Sequence, residues 1–211
     1  MKKKNKFYTV WIGRNPGVYS NWEDCKEQVN GFEGALYKGF LTIEQAQKAF
    51  SEDSDHYIGK TSGSLPVAKS LPSSIALPIE NSICVDGAWN TQTNAMEYQG
   101  VYFPNREPVF HAGPFDTGTN NIAEFLAIVH ALAFCKSNAL PSIIYSDSRT
   151  AILWVKKKKA ATKIERTESN KYTLSLIERA ETWLNNNEYS NEVLKWETDV
   201  WGENPADFGR K

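Results

Sequence analysis

The chain has 211 residues with almost balanced charge, since 24 Lys and Arg face 25 Asp and Glu for a formal net charge of −1. Hydrophobic residues make up 41% and the mean hydropathy is −0.50, which excludes a wholly disordered, collagen-like or membrane-embedded chain. The longest apolar stretch, Phe125–Phe134, is interrupted by His130 and is too short to span a bilayer. The three cysteines are too scattered for a disulfide framework or a zinc site. These features predict a cytoplasmic protein without a membrane partner.

Residues 51–77 divide the chain. They are rich in Ser, contain Pro and Gly, and follow neither a helical nor a strand period, which is typical of a flexible linker. The predicted domains are therefore residues 1–50 and 78–211. The formal charge is +3 on the first domain, −1 on the linker and −3 on the second domain. The near-neutral total is a sum over unlike parts and does not exclude a polyanionic partner.

The N-terminal domain has the pattern of a small β-β-α-β-α unit. Alternating residues predict the strands, Asn21 or Ser20 can cap the first helix, and Thr42 with Gln45 forms a capping box for the second. The predicted elements are strands Phe7–Trp11, Val18–Tyr19 and Leu36–Phe40, a helix through Trp22, Cys25 and Val29, and a helix Ile43–Phe50.

This domain holds more aromatic residues than its thin core needs. For any one aromatic, a core position is the more common explanation. However, Tyr8, Trp22 and Tyr37 are interleaved with cations. Aromatic rings stack on bases while cations meet phosphates, so the set indicates nucleic-acid binding. The cations in question are Arg14, Lys26 and Lys38.

The segment Phe7–Phe40 resembles the hybrid-binding domain at the N-terminus of many type 1 ribonucleases H. It contains, in the family's order, the pieces GRNPGVY, WEDCKEQVNGF and YKGF. The resemblance implies that Trp22 and Tyr37 hold the DNA strand, that Lys38 lies near a phosphate, and that Tyr8 lies on the RNA side. Many members carry a second lysine where this chain has Gly39, which predicts weaker or less salt-sensitive binding.

The C-terminal domain alternates strands and helices in the order βββ-α-β-α-α-β. This order predicts a mixed α/β sheet with helices on its faces. The predicted elements are a strand Ser82–Val85 ending at Asp86, strands Tyr98–Phe103 and Pro108–Ala112, a helix Ile122–Cys135, a strand Ile143–Tyr145, a helix through Ile152, Trp154 and Val155, a helix Lys171–Leu184, and a strand Val193–Trp196.

Four acids occupy unusual places in this domain. Asp86 and Asp147 each end an otherwise apolar strand, where Asp is uncommon. Glu124 lies in the first turn of a helix, and Asp207 lies near the C-terminus. A solvated surface explains most acids but explains the two strand aspartates poorly. Carboxylates at 4 Å repel by about 1 kcal/mol per pair even in water, a penalty that Mg²⁺ or Mn²⁺ removes. Two ions about 4 Å apart can activate a water and stabilise a leaving oxygen in phosphodiester cleavage.

Four ordered motifs resemble the catalytic domain of type 1 ribonuclease H, and the last resembles most closely a bacterial subgroup with a short C-terminal loop. The motifs are CVDGAWN, TGTNNIAEF, YSDSRTA and KWETDVWGENPADFGRK. The resemblance implies a ribonuclease H-like mixed five-stranded sheet flanked by helices. It also implies cleavage of the RNA strand of an RNA–DNA hybrid, leaving a 3′-hydroxyl and a 5′-phosphate. The sequence gives no sign of oligomerisation, so a monomer is expected. The implied ligands of two Mg²⁺ ions, for which Mn²⁺ can substitute, are Asp86, Glu124, Asp147 and Asp207.

Distinct roles are expected for these four acids. Asp86 is expected to bridge both ions, Asp147 to hold the ion that activates water, and Asp207 to bind metal near the scissile phosphate. Glu124 can bind metal and accept from a ribose 2′-hydroxyl, the group that distinguishes RNA from DNA.

Further substrate contacts follow from the resemblance. Asn90, Asn120 and Asn121 are expected along the RNA minor groove, although a plain loop before a helix cap also explains the Asn pair. Arg149 stands where relatives often have a polar amide or a tyrosine beside the RNA, so a changed contact is expected there. The pocket for a DNA phosphate is expected to include Thr119, Thr162 and Lys163.

The chain lacks the histidine that many relatives carry in a longer loop before the last aspartate. Its histidines are His56, His111 and His130. His130 lies about 240° round the helix from Glu124, which predicts that it faces away from the acids. In the short-loop subgroup a glutamate precedes the last aspartate by four residues. That residue is Glu203 here, and we expect it to assist metal turnover or product release unless it is only an exposed loop acid.

Three functions remain open from the residues. The first is a Mg²⁺-dependent endoribonuclease specific for hybrids. The second is a hybrid-binding protein without catalysis, which the presence of all four acids disfavours. The third is a DNA strand-transferring or exonucleolytic nuclease of the same fold, which the N-terminal module disfavours.

Overall fold

The computed structural model describes residues 6–32, 35–52, 54, 57 and 77–209. The chain divides into two compact units, residues 1–65 and residues 66–211. The predicted linker, residues 51–77, lies mostly outside the described residues, so its character and the domain bounds drawn from it stay predictions.

The N-terminal unit is a three-stranded antiparallel sheet with two helices. In this sheet the first strand of the chain lies between the second and the third. Asn21 caps the first helix by accepting from the Asp24 N–H, and Thr42 caps the second by accepting from the Gln45 N–H. The elements are β1 Phe7–Ile12, β2 Gly17–Tyr19, α1 Trp22–Val29, β3 Leu36–Phe40 and α2 Ile43–Ser51.

Strand β1 separates two packing layers because successive side chains of a strand point to opposite faces. On one face, Val10 packs with Cys25 and Val29 of α1. On the other, the Thr9 hydroxyl donates to the Ala46 carbonyl of α2 at 2.7 Å. The two helices therefore cover opposite faces of this sheet.

The C-terminal unit is a mixed five-stranded sheet flanked by helices, which confirms the predicted fold class. The elements are β4 Ser82–Trp89, β5 Met96–Phe103, β6 Pro108–Phe115, α3 Asn120–Ser137, β7 Ile144–Ser146, α4 Arg149–Lys156, α5 Lys171–Asn186, β8 Val193–Lys195 and α6 Thr198–Trp201. The sheet order is β6-β5-β4-β7-β8. β4 pairs antiparallel with β5, and β5 with β6, whereas β4–β7 and β7–β8 are parallel.

Several bounds differ from the sequence prediction, and three differences concern the elements around the predicted acids. β4 continues through Asp86 to Trp89, because β5 pairs with it along its whole length. α3 begins at Asn120 with Thr119 as its cap, so the Asn pair is helical rather than a loop. α6 was not predicted, since four residues are too short to carry a helical period.

The two faces of this sheet are covered differently. Helix α3 is the centre of the larger core, in which its Phe125, Ile128 and Leu132 are fully buried. The other face carries a smaller cluster in which the C-terminal segment contributes Trp196 and Ala206 against Cys84 and Tyr145. In the described part of the chain, no helix is both long and apolar enough to cross a membrane.

Candidate metal centre and nucleic-acid surface

Three acids from three different elements meet at one place. Asp86 lies within β4, Glu124 lies in the first turns of α3, and Asp147 follows β7. One carboxylate oxygen from each lies within 4.8 Å of the other two. The structure thus brings together three of the four acids that the sequence predicts as metal ligands.

Strand register and a close helix approach create this meeting point. β4 and β7 are parallel and pair Val85 with Ser146, so Asp86 and Asp147 follow at the same level on neighbouring strands. A Cβ atom at Gly87 would lie 2.5 Å from the backbone nitrogen of Glu124. Only a residue without a side chain lets α3 approach β4 this closely. The sequence alone assigns Gly87 no role, because the helix that approaches it is distant in sequence.

The three carboxyls crowd one another electrostatically. Desolvation raises the pKa of Asp86 well above its ordinary value, and the charge of Asp147 raises it further. A hydrogen bond with Glu124 acts in the opposite direction. Glu124 is almost completely buried and accepts a long hydrogen bond from the Ser146 hydroxyl at 3.4 Å. Ser146 is a second site residue that the sequence reasoning missed.

This donor set fits a hard divalent cation. All three donors are carboxylate oxygens, the ligands that Mg²⁺ and Mn²⁺ prefer. A bound cation would also remove the repulsion that raises the pKa of Asp86. The residues present therefore match the metal chemistry that the sequence predicts.

Asp207 lies near this cluster without joining it. Its charge contributes to the raised pKa of Asp86, but its carboxylate is exposed and is not among the grouped oxygens. The backbone holds it in a turn, since its N–H donates to the Asn204 carbonyl at 2.9 Å. Its role as the fourth ligand stays a prediction.

Glu203 lies elsewhere on the C-terminal segment. It is exposed and lines a cavity of about 520 Å³ together with Trp201, Arg106 and Glu80. The predicted role in metal turnover or product release stays a prediction.

Three aromatic rings form a surface cluster on the N-terminal unit, which we call the aromatic cluster: Tyr8, Trp22 and Tyr37. The Trp22 ring lies 5.4 Å from Tyr8 and 5.7 Å from Tyr37. Trp22 is 37% exposed and Tyr37 is 41% exposed, so these two rings do not fill the core. The cluster presents the flat faces that stacking on nucleotides requires.

The cations predicted beside these rings are arranged differently. Lys38 follows Tyr37 in β3, and its ammonium donates to the Tyr57 carbonyl. Because adjacent residues of a strand point to opposite faces of the sheet, the Lys38 side chain leaves the face opposite to that of Tyr37. Arg14 donates to the carbonyls of Glu27 and Asn30 at 2.8 Å and so caps the end of α1. Arg14 therefore has a structural role, and Lys38 as a phosphate contact stays a prediction.

The substrate contacts predicted in the C-terminal unit are distributed over loops and helix starts. Thr119 caps α3 by accepting from the Ile122 N–H, and Asn120 and Asn121 open that helix, with Asn121 only 3% exposed. Asn90 accepts from the N–H groups of Gln92 and Thr93 and so closes the turn after β4. Thr162 and Lys163 lie between α4 and α5.

Arg149 begins α4 and is exposed. Its guanidinium lies 4.0 Å from the Glu197 carboxylate. This cation thus has an acidic neighbour.

The histidines lie apart from the three acids. The His130 ring stacks on Phe110 at 4.0 Å, on the sheet face covered by α3. His111 is in β6 and pairs with Glu97. His56 lies outside the described residues.

Comparison with known proteins places these features in a family context. Residues 6–50 match the model of the ribonuclease H1 N-terminal domain. Ribonuclease H of Schizosaccharomyces pombe is 28% identical over an alignment of 256 residues, which covers 97% of this chain and 96% of that protein. Ribonuclease H of Crithidia fasciculata is 50% identical over 46 residues, and that of Saccharomyces cerevisiae is 47% identical over 47 residues.

The extent of these matches differs. The Crithidia and Saccharomyces matches cover 22% of this chain and only 9% and 14% of those proteins, whereas the Schizosaccharomyces match runs almost end to end. The chain is thus similar to ribonuclease H proteins over almost its whole length, and its residues 6–50 match a ribonuclease H1 N-terminal domain. These relatives are eukaryotic, so the resemblance of the last motif to a bacterial subgroup stays a prediction.

Proposed function

We propose that this chain is an endoribonuclease that hydrolyses the RNA strand of RNA–DNA hybrids with two Mg²⁺ ions, leaving 3′-hydroxyl and 5′-phosphate ends. The observation that carries the proposal is the meeting of Asp86, Glu124 and Asp147 within 4.8 Å, in a chain whose first residues match a ribonuclease H1 N-terminal domain. Hydrolysis of a phosphodiester needs both an activated water and a stabilised leaving oxygen.

The metal ligands are Asp86, Glu124, Asp147 and Asp207. When bound, the two ions supply water activation and stabilisation of the leaving oxygen. Asp86, within the sheet between the other acids, would hold both ions. Ser146 orients Glu124 through its hydroxyl, and Glu124 accepts from a ribose 2′-hydroxyl, which restricts cleavage to RNA.

The aromatic cluster binds the hybrid. The exposed rings of Trp22 and Tyr37 support stacking on the DNA strand. Tyr8, whose ring lies 5.4 Å from Trp22, lies on the RNA side. Lys38 reaches a phosphate after leaving the Tyr57 carbonyl. The +3 charge of residues 1–50 adds electrostatic attraction. A flexible tether to the catalytic unit would raise the local concentration of substrate.

The remaining contacts are assigned within the same proposal. Asn90, Asn120 and Asn121 line the RNA minor groove, and Arg149 contacts the RNA after exchanging Glu197 for it. Thr119, Thr162 and Lys163 hold a DNA phosphate. Glu203 assists product release. We further propose that the enzyme acts as a cytoplasmic monomer, and sedimentation of the purified chain with and without hybrid measures its oligomeric state.

One substrate panel tests the proposal. Labelled RNA–DNA, RNA–RNA and DNA–DNA duplexes are incubated with the protein in Mg²⁺, in Mn²⁺ or in EDTA. We expect metal-dependent cuts confined to the RNA of the hybrid. Binding of the hybrid without any cut would indicate a non-catalytic binding protein, and cutting of DNA would indicate a strand-transferring or exonucleolytic enzyme.

A further inference from the structure

The C-terminal segment that carries Asp207 lies across three neighbouring strands. The Asn204 amide donates to the Val85 carbonyl of β4 at 2.9 Å. The Gln99 amide of β5 donates to the Ala206 carbonyl at 2.6 Å. The Phe208 ring lies 6.2 Å from the His111 ring of β6, edge to face at 61°. Alternate residues of the segment thus meet successive strands, and Asp207 lies between the second contact and the third.

The sheet register makes these contacts possible. Asp86 pairs with Gln99, and Gln99 pairs with His111, so the three residues form one row across β4, β5 and β6. Directly opposed residues of antiparallel strands point to the same face. His111 therefore lies on the same sheet face as Asp86, two strands away, and the segment with Asp207 spans the interval.

The His111 ring is held in place by a second acid. Its Nε2 lies 2.9 Å from the Glu97 carboxylate, and the Glu97 side chain is only 14% exposed. Glu97 precedes Gln99 by two residues in β5 and faces the same way. A half-exposed imidazole fixed by a largely buried carboxylate presents its ring to Phe208 in one orientation.

The position of the Asp207 side chain depends on neighbouring residues, because the side chain is exposed and is not held by packing. Its carboxylate is exposed, and its own side-chain hydrogen bond is to the Gly209 N–H two residues on, within the same short segment. The contacts that join this segment to the sheet include the hydrogen bonds of Asn204 and Gln99, the burial of Ala206, and the ring contact at His111.

The geometry points to the Glu97–His111 pair as a positioning element for Asp207. The pair fixes Phe208 and thereby sets the direction of the neighbouring carboxylate towards the other three acids. This inference rests on the proposed function, in which Asp207 is the fourth metal ligand. His111 itself touches neither metal nor substrate.

Matched variants test the inference. His111→Ala removes the contact of the imidazole with Phe208 and its hydrogen bond with Glu97. His111→Phe keeps a ring beside Phe208 without the hydrogen bond to Glu97. Phe208→Ala removes the ring that contacts His111. His130→Ala is the control, because that ring stacks on Phe110, the neighbour of His111 in β6, on the opposite sheet face.

Two measurements are compared across the variants. We expect faster amide hydrogen exchange in residues 204–209 of His111→Ala and Phe208→Ala, with little further gain in the double variant because both act through one contact. We expect kcat on the hybrid to fall about two- to tenfold, the range for losing one aromatic pair, and the Mg²⁺ concentration for half-maximal activity to rise by a similar factor. The KM for hybrid stays unchanged. His111→Phe restores only part of the loss, because its ring remains beside Phe208 but is no longer held by Glu97. His130→Ala leaves the exchange of residues 204–209 and the Mg²⁺ requirement as they were.

The outcomes separate this inference from the proposed function. A wild-type protein that fails to cleave the hybrid contradicts the proposed function. An active wild type whose Mg²⁺ requirement and exchange at residues 204–209 match those of His111→Ala contradicts the inference alone. So does an equal change in His111→Ala and His130→Ala, because that result assigns His111 a purely structural role.

Discussion

Gly87 lies directly against the first turns of α3, where a Cβ atom would be 2.5 Å from the backbone nitrogen of Glu124. The same atom would lie 2.7 Å from the Ala123 side chain. The residue after Asp86 thus controls how closely Glu124 approaches Asp86, and the geometry of the three acids depends on a missing side chain.

Gly87→Ala is expected to damage both stability and activity. The added methyl group must push α3 away from β4, since the nearest atom is backbone and cannot rotate aside. Overpacking of this kind costs about 1–3 kcal/mol in the free energy of unfolding. Hybrid cleavage should fall by more than about tenfold, because displaced ligands lose metal affinity by at least that factor. Urea unfolding and initial cleavage rates measure the two effects.

A second variant separates the side-chain contact of that methyl group from its two backbone contacts. Gly87→Ala with Ala123→Gly removes the clash with the Ala123 side chain but leaves the clashes with the Glu124 nitrogen and the Ala123 carbonyl carbon. The double variant should therefore remain impaired. Full recovery of activity would mean that the backbone approach does not limit the site.

Mg²⁺ is expected to stabilise the wild-type fold. Burial raises the pKa of Asp86, and the charge of Asp147 raises it further, so both effects disfavour the ionised cluster and a bound cation would offset them. Binding to the folded state alone raises the free energy of unfolding by RT ln(1 + [Mg²⁺]/Kd). Thermal midpoints in Mg²⁺ and in EDTA at matched ionic strength measure the shift, and identical midpoints would argue against a preformed site.

Asp147→Asn should remove most of the dependence of stability on Mg²⁺. Removing one charge beside Asp86 relieves repulsion, so the variant should be more stable than the wild type in EDTA, by about 1 kcal/mol. It should gain little from added Mg²⁺. A variant that is less stable in EDTA would show that Asp147 stabilises the cation-free fold rather than straining it.

Trp22→Ala should weaken hybrid binding without affecting the chemistry of a bound substrate. Loss of one stacked base costs about 1–3 kcal/mol, which corresponds to about five- to 150-fold in affinity. Multiple cuts per encounter should become rarer, while the rate of a single cut at saturating enzyme is retained. Unchanged affinity in a binding titration would remove Trp22 from the hybrid-binding surface.

Glu203→Ala should slow multiple turnover more than the first turnover, because the proposed role acts after cleavage. Burst kinetics on the hybrid separate the two rates. Glu80→Ala is the matched control, since Glu80 lines the same cavity. Equal slowing of both turnovers, or equal effects of the two variants, would contradict a role in release.

Much of the fold follows from local pattern. β3 has the predicted bounds, and the caps of both N-terminal helices include predicted residues, because alternation and capping are properties of short segments. β4 was predicted too short, since Asp86 and Gly87 read locally as a strand end. Pairing with β5 overrides that local preference and extends the strand to Trp89.

The candidate site was predictable in its acids but not in its supports. Asp86 and Asp147 stood out as acids in apolar strands, and three of the four predicted ligands meet. The role of Gly87 depends on the approach of a helix distant in sequence, which no local pattern contains. By contrast, strand alternation places Tyr37 and Lys38 on opposite faces of the sheet, and this could be predicted from the sequence.

Single-turnover cleavage of an RNA–DNA hybrid labelled on each strand, by the wild type and by Asp147→Asn, tests whether the acids form a hybrid-specific nuclease site. We expect Mg²⁺-dependent cuts in the RNA strand by the wild type, none in EDTA, and hybrid binding without cutting by the variant. Absence of cutting in both Mg²⁺ and Mn²⁺, cuts in the DNA strand, or an Asp147→Asn rate equal to that of the wild type would contradict it.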